Sequence, residues 1–90
     1  MAEIDDKRGA GSEDAAVEAA VLRQLLLIHP AQVTVGELIV DVAAEPEAFA
    51  EQDAIERAVR ELSRACLVHR NGEFAIPSRA ALRFDELLGG

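Results

Sequence analysis

The 90-residue sequence contains no tryptophan and no tyrosine, and its only aromatic residues are Phe49, Phe74 and Phe84. A core therefore has to be built from Leu, Val, Ile and Ala. There is a single cysteine, Cys66, which excludes an internal disulfide framework and fits a reduced compartment. No apolar run is longer than Leu25–Ile28, far short of a bilayer span, and the N-terminus is acidic where a signal peptide needs an apolar stretch. These features predict a cytoplasmic chain with no membrane segment. Positive charge is also scarce: 9 Lys/Arg stand against 17 Asp/Glu, for a formal net charge of −8. That balance opposes non-specific binding to nucleic acid or to an anionic membrane. No glycine-rich phosphate loop, nucleophile elbow or adjacent catalytic pair is present. The expectation is a protein without catalysis, cofactor or evident small-molecule substrate.

Ninety residues suffice for one domain with a modest core, and half of them are hydrophobic. The acidity is uneven. Residues 1–52 hold eleven Asp/Glu and three Lys/Arg, whereas residues 53–90 hold six of each. Residues 1–11, charged and without apolar periodicity, read as a disordered acidic tail, which leaves residues 12–90 as the domain.

Ser12 is placed to cap a first helix, with Glu13 and Asp14 at its positive end. Val17, Ala20, Val21, Gln24, Leu25 and Ile28 recur at helical spacing, and Leu22 and Leu26 widen the stripe. His29-Pro30 stops it. Thr34 and Glu37 then form a capping box, while Val33 and Leu38 occupy the two positions of a hydrophobic staple. This predicts a second helix running to about Ala43, with a very short strand at Gln32-Val33 just before it. Residues 43–52 fit either a loop or the opening of a longer helix. Residues 53–65 read as a third helix, with Asp53 and Glu56 as its acidic N-cap and N3 residues. Its apolar face is Ile55, Ala58, Val59, Leu62 and Cys66, which puts the cysteine in the core. Arg57, Arg60 and Arg64 share the opposite face, within about 60° of one another.

Leu67–Arg70 and Glu73–Ile76 flank Asn71-Gly72, the strongest short-range signal for a two-residue hairpin. In that register Leu67, His69, Phe74 and Ile76 share one face and Val68, Arg70, Glu73 and Ala75 the other, with Arg70 and Glu73 paired across the turn. Ser78 caps a last helix in which Ala81, Leu82, Leu87 and Leu88 are candidate packing residues. Phe84 and Leu88 fit a dimer seam as well as a core. The fold class is thus mainly α with a small β-hairpin.

The order helix, short extended segment, helix, helix, hairpin, helix resembles the winged-helix branch of the helix-turn-helix families, over about residues 13–88. "TVGELIVDV" corresponds to the second helix, and "DAIERAVRELSRACLVHRNGEFAIPS" to the third helix and the wing. The resemblance implies a three-helix helix-turn-helix core plus wing and C-terminal helix, and a function in DNA binding or transcription regulation. It implies a third helix in the major groove and a wing against phosphate. The positions that match are Arg57, Arg60 and Arg64 on the helix, and His69, Arg70 and Asn71 at the wing. Arginine suits both tasks, because its planar fork grips phosphate and reads guanine bidentately. One departure is the connection between second and third helices, longer than the three or four residues of a compact motif.

A second reading fits the charge better. Winged-helix folds also serve as protein-interaction or dimerisation modules, and an acidic half beside an arginine face suits a protein partner or a second copy. The arginines then belong to a solvated face with ion pairs Glu56–Arg60 and Arg57–Glu61. Cys66 and His69 form the sole metal-like spacing, and zinc wants four ligands, so no metal is expected. His29 reads as a helix C-terminal residue.

Overall fold

The computed structural model describes residues 2–89, with side chains described from residue 13 onward. Among the described residues there are four helices and a small sheet: α1 (Ala2–Ile28), β1 (Val33–Thr34), α2 (Val35–Val42), α3 (Phe49–Arg64), β2 (Val68–Asn71), β3 (Phe74–Pro77) and α4 (Arg79–Leu87). All strand pairs are antiparallel, in the spatial order β1-β3-β2. This helix-rich arrangement with a three-stranded sheet is compatible with a winged-helix-like fold.

α1 is continuous through Ser12, where the sequence pattern places the helix start. The capping role of Ser12 and the side chains of the expected tail, residues 1–11, lie outside the described residues. The predicted stripe is realised: Val21 and Leu25 are fully buried, with Val17, Leu22 and Ile28 packed around them. α2 starts where its cap places it. The Thr34 hydroxyl accepts from the Glu37 amide at 3.1 Å, and the Glu37 carboxylate accepts from the Thr34 amide at 2.9 Å. Val33 and Leu38 both sink into the core, as a staple requires. Val33-Thr34, one residue beyond the expected extended pair, adds itself to the sheet beside Ala75 and Phe74.

α3 opens at Phe49, a turn before Asp53, and its N-cap Ala48 offers no side-chain bond. The expected cap at Asp53 is therefore wrong. The preceding loop is closed by other groups: the Gln52 side-chain amide donates to the Pro46 carbonyl at 2.8 Å, and the Glu51 carboxylate accepts from the Glu45 amide at 3.3 Å. Residues 43–48 form the loop, and 49–52 join the helix. Ile55, Ala58, Val59 and Leu62 face the core as expected.

Cys66 does not join them. It is exposed, with φ of 66°. The Leu67 amide donates to the Leu62 carbonyl at 2.9 Å and the Cys66 amide to the Ser63 carbonyl at 3.0 Å. These are the two bonds of a Schellman motif, whose left-handed position usually falls to glycine. The chain has to turn there so that Val68 can enter the core, and the turn throws Cys66 outward.

The hairpin forms, but its turn is Gly72-Glu73 rather than Asn71-Gly72. Asn71 pairs with Phe74, Arg70 with Ala75, His69 with Ile76 and Val68 with Pro77. A type I′ turn on Asn71-Gly72 needs positive φ at both residues. Here Gly72 has φ of 64° and no other residue of the hairpin is positive, the signature of a II′ turn with glycine first. Relative to the expected register, one strand slides by two residues against the other. Because side chains alternate with period two, the face assignments survive the slide. Val68, Ala75 and Pro77 turn inward, while His69, Asn71 and Phe74 turn outward. Arg70 now lies opposite Ala75, not Glu73, and its guanidinium donates to the Gly72 carbonyl at 3.2 Å.

The Ser78 hydroxyl accepts from the Ala81 amide at 3.1 Å, and α4 follows. Ala81 is buried and Leu82 half-buried, but Leu87 and Leu88 are exposed, against expectation. A helix this short reaches the body of the domain with its first turns only.

Candidate nucleic-acid interface

The face of α3 away from the core carries Asp53, Glu56, Arg57, Arg60 and Arg64, all exposed. The resemblance puts the DNA contact here and at the hairpin tip. Arg57, Arg60 and Arg64 do share a face, but they are not equally available. Arg57 Nη1 lies 3.0 Å from Asp53 Oδ2, and its Nη2 lies 3.7 Å from Asp14 Oδ1 on α1. Arg64 Nη1 lies 3.5 Å from Glu61 Oε2. Neither pair expected from spacing, Glu56–Arg60 or Arg57–Glu61, is among the ion pairs of the described residues. Arg57 turns back toward Asp53 because that direction also brings it to α1. Arg60 has no ion pair among the described residues and projects outward.

These pairs do not lock the arginines. Arg57 is 48% exposed and Arg64 75% exposed, and surface pairs of this kind contribute roughly 0.2–1 kcal/mol. A phosphate would displace such a carboxylate readily. The carboxylates it leaves behind matter more. α1 packs along α3, and the groove between them is lined by Asp14, Val17, Glu18, Ala54, Arg57, Ala58 and Glu61. Together with Asp53 and Glu56, five carboxylates thus accompany three arginines on this side of the molecule. The face is net negative.

At the hairpin, His69, Arg70 and Asn71 are all exposed, as the resemblance requires. Arg70 is bent onto its own turn, and Glu73 at the tip balances its charge. Asp14 belongs to this side of the molecule although nothing in the local pattern announces it. Its contact with Arg57 joins two helices far apart in the chain, and no short-range spacing signals such a pair.

Among the described residues, no group of three or more His, Cys, Asp or Glu is arranged to hold a metal ion, and no helix is long and apolar enough to cross a membrane. No known family, curated protein or solved structure matches the chain.

Proposed function

We propose that this chain is a non-catalytic winged-helix-type domain that binds a protein partner through the acidic face between α1 and α3, without binding DNA. The observation that carries this reading is the excess of carboxylates around the α3 arginines, with Asp14 reaching across from α1 to Arg57. A duplex carries about one negative charge per 1.7 Å, and its binders gain affinity by releasing counterions from phosphate. A face with five carboxylates and three arginines gains little that way. It suits a partner segment bearing cationic side chains, and the Val17, Ala54 and Ala58 floor of the groove accepts the aliphatic stems of such residues.

The second reading, a DNA-binding regulator, has its own support. Arg60 is free among the described residues, Arg64 and Arg70 reach solvent, and the order β1-β3-β2 leaves β2 at an edge of the sheet, in contact with α3. Its site would be Arg57, Arg60 and Arg64 on the helix with His69, Arg70 and Asn71 at the wing.

One pair of titrations separates the two. The parent protein is titrated with a mixed-sequence duplex and, separately, with an oligolysine peptide, each over a range of salt. The expected result is no duplex binding at the lowest workable salt, and peptide binding that weakens at least fivefold in the double variant Asp14→Asn, Glu18→Gln. Duplex binding that falls steeply with salt and is abolished by Arg60→Glu overturns the interaction reading and establishes the regulator reading.

A further inference from the structure

The α3 face and the hairpin leave α4 and the outer face of the C-terminal half of α1 unused. Among the described residues seven large hydrophobic side chains are exposed, and four of them lie on or at the end of two adjacent helices. They are Leu27 at 76% on α1, with Phe84 at 62% and Leu87 at 65% on α4 and Leu88 at 71% at its C-cap. Phe84, Leu87 and Leu88 are spaced to form one row along the helix. A depression lined by Arg23, Leu26 and Leu27 of α1 and by Asp85, the neighbour of Phe84 on α4, brings the two helices' exposed side chains to one groove.

We infer that this face docks a second copy of the chain in a two-fold dimer. Charge selects the occupant. The whole chain carries −8, so two copies repel each other from most directions. No Asp or Glu occurs from residue 19 to residue 36, and α4 balances Arg79 and Arg83 against Asp85 and Glu86. With Arg23 added, a copy meets no net negative charge on this side. The two charges in the depression also complement themselves. Among the described residues, neither Arg23 nor Asp85 is in an ion pair. A two-fold contact is isologous, so Arg23 of one copy faces Asp85 of the other, twice per dimer. The exposed apolar side chains lose water on contact, and the paired charges fix the register. Neither the α3 face nor the hairpin takes part, so the dimer stands or falls independently of the function proposed above.

Sedimentation velocity from low micromolar to submillimolar protein tests it. The parent is expected to pass reversibly from 9.6 kDa to twice that mass. Leu27→Glu and Leu88→Glu are expected to stay monomeric with the parent's circular dichroism, because both side chains are mostly in solvent in the single chain. Arg23→Glu is expected to weaken association at least tenfold, and adding Asp85→Arg to restore it. A parent that stays monomeric throughout overturns the proposal. So does a Leu88→Glu variant that associates like the parent, or a charge-swapped double variant no tighter than Arg23→Glu.

Discussion

Among single residues, Cys66 shows how position in space overrides character. Its spacing continues the apolar face of α3, and its type is among the most often buried. The helix nevertheless ends at Arg64, and the Schellman turn needs one left-handed residue, which falls on Cys66 with φ of 66°. A left-handed residue with a Cβ costs roughly 1–2 kcal/mol, and the exposed thiol offsets none of it through packing. Cys66→Gly is therefore expected to stabilise the protein by about 1 kcal/mol, less what glycine loses in unfolded-chain entropy. For a domain of this size the thermal midpoint then rises by a few degrees, roughly 4–8 °C per kcal/mol. A fall in the midpoint would show that the thiol has a stabilising contact, against its exposure.

Among the elements, the strongest local signals are reciprocal ones. The capping box at Thr34 and Glu37 satisfies two helix-terminal donors, and its staple buries Val33 and Leu38 in the same core. Thr34 also belongs to β1, so one residue fixes both the start of α2 and the edge of the sheet. Thr34→Ala is expected to cost about 1 kcal/mol, near the middle of the range for lost caps. Urea denaturation with unchanged slope checks this, and a loss below a few tenths would mean that the staple alone sets the helix start. α3 is the contrasting case. Its start has no side-chain cap, only loop contacts through Glu51 and Gln52, and the sequence marks Asp53 instead.

Across the molecule as a whole, electrostatics oppose compactness. The ion pairs of the described residues are all on the surface, and three of the four link residues three or four apart on one helix. Each contributes only a few tenths of a kcal/mol. Against them stands the mutual repulsion of a −8 chain whose acids crowd the N-terminal half. Salt screens both, and the repulsion outweighs the pairs. The thermal midpoint is therefore expected to rise as sodium chloride increases from a few millimolar to physiological strength. A midpoint that falls over that range would mean that the surface pairs prevail over the repulsion. The same repulsion favours, for the dimer proposed above, the side formed by α4 and the C-terminal half of α1.

Much of this architecture is legible along the chain. The identity of the elements, the stripe on α1, the cap and staple of α2, four of the five expected core positions on α3, the two faces of the hairpin and the cap of α4 can all be read there. Each is encoded within a few residues, as a periodicity or a reciprocal bond. Other features arise only when distant segments meet. The hairpin turn falls on Gly72-Glu73, which alternation along the strands does not encode, because both registers put Val68 and Ala75 on the same face. Cys66, Leu87 and Leu88 are exposed because each lies where an element ends or leaves the body of the domain. Asp14 and Glu18 stand beside the arginines of α3 because α1 packs along that helix. Local spacing brought the arginines together on one face. Long-range packing set the charge around them, and that charge depends on contacts that no local pattern encodes.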